Sequence, residues 1–98
     1  MTGAVIHSPS ETNADHQPVL RHLLRMYYDD HPPPHFHAYY GGAAAKIDIN
    51  TLGMTEGVLP RRALALVLEW AVQHRDELLE DWRLAEAHQA LNQIAPLE

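Results

Sequence analysis

The sequence predicts an α+β fold in which a four-stranded antiparallel meander packs against one long C-terminal helix, with a flexible N-terminal arm ahead of it. Three observations carry this reading. Residues 19–59 alternate apolar and polar letters in short runs broken by Gly, Asn and Pro clusters; residues 61–91 hold no Gly or Pro and keep apolar residues three to four apart; residues 1–18 follow neither period. A length of 98 residues, with 46% hydrophobic and 20% charged, corresponds to one globular domain, set here at residues 19–98 behind an arm of residues 1–18.

The elements follow in order. VLRHLLRMYY, residues 19–28, places Leu24, Met26 and Tyr28 on one strand face and Leu23, Arg25 and Tyr27 on the other. After Asp-Asp-His-Pro-Pro-Pro, HFHAYY alternates again and runs into Gly41-Gly42, a pair suited to a primed hairpin turn. In AAAKIDI, Ala45, Ile47 and Ile49 face inward while Lys46 and Asp48 face water. Asn50, Thr51 and Gly53 make the next turn, and residues 54–59 form a short last strand broken by Gly57. Pro60 opens the helix, where Leu64, Val67, Leu68, Ala71, Leu78 and Trp82 form one apolar stripe, and Pro96 ends regular structure. Met26, Phe36, Ile47, Ile49, Leu64, Leu68 and Trp70 are the expected core. Trp70 and Trp82 read as core anchors, and His74 as a partly buried, hydrogen-bonded histidine.

Composition narrows the chemistry. With no cysteine, thiolate zinc sites, iron–sulfur ligation and thiol nucleophiles are excluded, and any metal is held by His, Asp or Glu. No run approaches the roughly 20 apolar residues of a membrane helix, and the first residues lack a basic segment followed by an apolar one, so the expectation is a cytoplasmic protein without a membrane partner. The net charge of −6 is uneven: residues 1–68 carry −1 and residues 69–98 carry −5. That total argues against a grip on nucleic acid spread over the whole surface. There is no phosphate-cradling glycine motif, nucleophile elbow or cofactor fingerprint.

Two segments carry polar chemistry. His35 and His37 sit two apart on a strand, which places both rings on one face, and His31, Asp29 and Asp30 are the nearest further ligands for zinc or another first-row ion. His31, His35 and His37 are the expected metal set, with convergence of His31 needing a bend in the proline run. The same prolines also protect a sheet edge, and the histidine pair also suits acid–base cleavage of RNA without a metal. Arg61 and Arg62 follow Pro60 in the first helical turn, where their charge opposes the helix dipole by some tenths of a kcal/mol each unless an anion is present. Ion pairing with Asp29, Asp30 or Glu56 is the alternative.

Met26-Tyr27-Tyr28-Asp29-Asp30-His31-Pro32-Pro33-Pro34-His35-Phe36-His37-Ala38, then Leu59-Pro60-Arg61-Arg62-Ala63-Leu64 and Leu68-Glu69-Trp70, resemble the bacterial domain-of-unknown-function family numbered 4160. The resemblance spans residues 22–97, and the longer polar amino end departs from it. It implies a small component of a bacterial toxin–antitoxin-like two-gene module. The expected function is therefore binding of a neighbouring-gene protein or RNA through His35, His37, Arg61 and Arg62, with metal binding or metal-independent ribonuclease chemistry as alternatives.

Overall fold

Apolar alternation builds a sheet of five antiparallel strands: β1 (Gly3–His7), β2 (His22–Tyr27), β3 (His35–Tyr40), β4 (Ala43–Asp48) and β5 (Met54–Val58), in that spatial order. The protein is described by a computed structural model covering residues 3–7 and 22–94. Leu24 lies opposite Ala38, and Phe36 opposite Ile47, and all four side chains are buried on one face together with Met26 and Ala45. Two helices, α1 (Arg61–Gln73) and α2 (Arg75–Glu86), complete the core on that face with Val67, Trp70, Ala71, Leu78, Trp82 and Ala85.

The sheet has one strand more than the sequence predicts. Gly3–His7 lies within the expected arm and pairs with β2, with Ile6 fully buried. A five-residue GAVIH flanked by polar letters is too short to show a period, so pairing rather than pattern makes it a strand. The rest of the expected arm, residues 8–18, and the three residues that follow it lie outside the described residues.

The single helix is likewise two. Pro60 caps α1 instead of starting it, and the break falls at His74 (φ −119°, ψ 24°). A straight helix over 61–86 would run about 39 Å, roughly twice the length of a six-residue strand. The bend keeps the stripes of both helices on the sheet. Arg75, just beyond it, donates Nε–H to the carbonyl of Ile49 at 3.2 Å, and the His74 ring packs on Trp70 while pairing with Glu77. α2 ends at Glu86, short of the predicted 91. Leu64 and Leu68 pack against the core but are only partly buried. The chain then returns across the sheet end, where the Ile94 amide donates to the Ile6 carbonyl at 3.2 Å.

Turn chemistry fixes the ends of the strands. After β4, Asp48 Oδ1 accepts the amides of Asn50 and Thr51 at 2.7 and 2.9 Å, which holds the loop that leads to β5. At the same end of the sheet, after β2, Tyr28 stacks on His88, His88 pairs with Asp29 at 2.9 Å, and the Tyr28 hydroxyl donates to the Gln89 carbonyl at 3.2 Å. These contacts tie the β2–β3 connection to the end of α2.

Candidate functional site

The β2–β3 connection delivers Asp30 to the start of β3, where strand alternation sets His35 and His37 on the same side with ring centroids 5.2 Å apart. Asp30 Oδ2 lies 2.8 Å from His35 Nε2 and 3.3 Å from His37 Nε2. The three residues each offer a ligand atom, and these atoms all lie within 4.8 Å of one another. Around a four-coordinate ion with bonds of about 2.0–2.1 Å, donor atoms sit roughly 3.3–3.5 Å apart, so this cluster needs only small side-chain shifts to close on one.

Hydrogen bonding orients each member. The Asp30 carboxylate accepts the His31 amide at its other oxygen, Oδ1, at 2.9 Å. His35 is 4% exposed, packs against Trp82 of α2 at a centroid distance of 5.1 Å, and sits 2.8 Å from the Pro33 carbonyl through Nδ1. A carbonyl oxygen only accepts, so Nδ1 carries a proton. The Tyr27 ring meets His37 at 4.6 Å and nearly at right angles.

Charge states follow from the same contacts. Burial pushes the Asp30 carboxyl up, but the His31 amide and the two imidazoles outweigh it and hold the group below its ordinary value. Burial also holds His37 below the ordinary histidine value, with His35 and Lys46 acting in the same direction against the pull of Asp30. An ionised carboxylate thus faces a ring that favours its neutral form.

Of the residues singled out from the sequence, His35 and His37 come together, and Asp30 is the third member. His31 lends its backbone amide to Asp30; its side chain is exposed and lines a pocket of about 270 Å³ with Pro32, Pro33, His35, Lys46 and Glu56 among others. Arg61 and Arg62 are exposed on the first turn of α1, which has no acidic residue, and neither guanidinium pairs with a described residue. The Trp82 contact with His35 is not legible in the letters, because it depends on how α2 crosses the sheet. Asp29, the other nearby carboxylate, pairs with His88 instead.

Fold and site together define a class: a small antiparallel sheet backed by two helices, with a histidine–carboxylate cluster at the head of its central strand. The model of the family DUF4160, a domain of unknown function, matches residues 22–83, and the chain belongs to that family. The match takes in the whole cluster as well as Arg61 and Arg62. No curated protein and no solved structure matches the chain. No helix among the described residues is long and apolar enough to cross a membrane.

Proposed function

We propose that the protein binds a divalent first-row transition-metal ion through Asp30 Oδ2, His35 Nε2 and His37 Nε2. The observation that carries this reading is the commitment of His35 Nδ1–H to the Pro33 carbonyl. With that proton fixed, a neutral His35 turns its Nε2 lone pair toward a carboxylate oxygen 2.8 Å away. Two electron pairs at that distance need a cation between them, either a second ring proton or a metal. Donation of the remote ring N–H to a backbone carbonyl is the usual support for a metal-ligating histidine. Two imidazoles and a carboxylate suit zinc, iron or a neighbouring ion, with coordination positions left for water or a further ligand.

Zinc titration followed by calorimetry and by histidine ring resonances tests the reading. Saturable binding that shifts both rings is expected, and Asp30→Ala and His37→Ala should each weaken it at least tenfold. Unmoved His35 and His37 resonances at saturating zinc would overturn it.

A second reading, association with a protein encoded beside this one in a toxin–antitoxin-like pair, has its support at α1. Arg61 and Arg62 stand exposed in a first turn with no acidic residue, where an acidic segment would satisfy both the guanidinium groups and the helix end. Co-expression with the neighbouring gene product, using the parent and an Arg61→Glu/Arg62→Glu variant, tests it. Loss of co-purification in the variant alone is the expected result, and equal recovery of the partner overturns it.

A further inference from the structure

We infer that the open face of the sheet around Arg25, Tyr27 and Tyr39 binds single-stranded nucleic acid, with bases stacked on the tyrosines and a phosphate held by Arg25. This does not rest on the metal reading. Alternation that buries Leu24, Met26, Phe36 and Ala38 against the helices turns Leu23, Arg25, Tyr27, His37 and Tyr39 to the other face. There Leu23, Arg25, Tyr27 and Tyr39 line a shallow groove of about 300 Å³, and no described residue outside β2 and β3 lines it.

Two features suit this groove to a nucleotide. The Tyr27 and Tyr39 hydroxyls share a hydrogen bond of 2.7 Å, which holds the two rings in place and lowers the ordering cost of stacking on them. Finally, Arg25 and Lys46 lie directly opposite His37 on its two neighbouring strands, so two permanent cations flank that position on this face.

These two cations are only partly offset by carboxylates. Glu56 pairs with Lys46 at 3.4 Å and Asp30 contacts His37, whereas Arg25 has no carboxylate partner among the described residues. The neighbouring strand β1, GAVIH, contains no acidic residue to supply one. A planar guanidinium beside two fixed aromatic rings matches the phosphate and the flat face of a nucleotide, and stacking of this kind tolerates any base. An acidic peptide would meet one unpaired cation and gain nothing from the rings.

The net charge of −6 does not oppose this site, because much of it lies on the helix layer. Asp76, Glu77, Glu80 and Glu86 all belong to α2, whose Leu78 and Ala85 join the core on the opposite face while its Trp82 reaches the His35 ring at the head of β3. Repulsion from that side favours an approach to the open face.

The test is fluorescence anisotropy of labelled ten-nucleotide oligo(U), the matching single-stranded DNA and a duplex, with the full chain at low salt and with a chelator present. Saturable binding of the single strands in preference to the duplex is expected, and tighter binding of RNA than DNA would assign the ligand to RNA. The log–log salt slope should be shallow, near −0.7 for each phosphate engaged. Tyr39→Leu and Arg25→Gln should each weaken binding roughly tenfold, the range of one stacked base. Arg83→Gln, on the helix layer, should not change it, and Asp30→Ala should keep oligonucleotide binding while losing metal. Circular dichroism checks folding; if Tyr39→Leu fails to fold, Arg25→Gln decides alone, since that side chain makes no hydrogen bond to a described residue. No binding of either single strand, equal binding of duplex, or an Arg25→Gln variant as tight as the parent overturns the proposal.

Discussion

Asp81 and Asn92 meet where the C-terminal segment crosses α2: the fully buried carboxylate accepts the Asn92 amide through Oδ1 at 2.9 Å, while Oδ2 has no hydrogen-bond partner among the described residues. Burial raises the Asp81 pKa, the Asn92 amide opposes this, and Glu80 and Glu77 add to the rise. The folded state therefore holds the proton more tightly than the unfolded chain, whose Asp titrates near about 3.9. The contribution of Asp81 is most favourable below that value and is lost as pH rises through the raised folded one. Urea unfolding from mildly acidic to neutral pH should show this decline. Asp81→Asn should flatten it and leave the protein as stable or more stable at pH 7, by up to about 1–3 kcal/mol, the cost of one unsatisfied buried group. A variant with the parent's pH profile would show that Asp81 is not the group responsible.

Core truncation separates the two faces of the sheet. Ile47 is fully buried opposite Phe36, so Ile47→Ala should cost about 2–5 kcal/mol in denaturant unfolding. Val58, on β5, is 67% exposed, and Val58→Ala should stay within about 0.5 kcal/mol of the parent. Similar losses at both positions would contradict the placement of the core.

How much of this was legible in the sequence depends on what set each feature. Alternation alone placed β2 to β5 and the shared side of His35 and His37, because a period of two fixes the face whatever the rest of the fold does. The break at His74 has no Gly or Pro to announce it; it arises from the length of the sheet and from Arg75 reaching Ile49, both tertiary. The third member of the cluster was ambiguous for a related reason. Asp30 and His31 are adjacent in a proline-rich connection, and which side chain turns inward is decided by the loop backbone and by the His31 amide bonding to Asp30. The Tyr27–Tyr39 bond crosses two strands and depends on their register, which letters in one strand do not contain.

The contact between His35 and Trp82 provides an optical readout for the cluster. Their ring centroids are 5.1 Å apart, and the chain has two tryptophans, the other being Trp70. In a Trp70→Phe variant, Co²⁺ bound at Asp30, His35 and His37 should quench most of the remaining emission, and a chelator should restore it. Adding Asp30→Ala should abolish the quenching at the same Co²⁺ concentration. Quenching that survives this change would place the ion elsewhere.

Two glycines make opposite predictions. Gly57, in the last strand, has φ +80°, and a Cβ built there would lie 2.2 Å from the Ala44 carbonyl oxygen and 2.9 Å from Ala45 Cα. Both obstacles are backbone atoms of the paired strand β4, so neither can rotate away, and relief requires β5 to move off the sheet. Gly57→Ala should therefore cost at least the roughly 1–3 kcal/mol of a strained backbone position and increase amide exchange along β5. Gly42, in the β3–β4 turn, has open space around its Cα and no positive φ. Gly42→Ala restricts the unfolded chain without a clash and should be neutral or stabilising by about 0.4–1 kcal/mol. Thermal unfolding of the two variants side by side checks both. A tolerated Gly57→Ala would mean that β5 does not pair with β4 at the register Ala45↔Gly57.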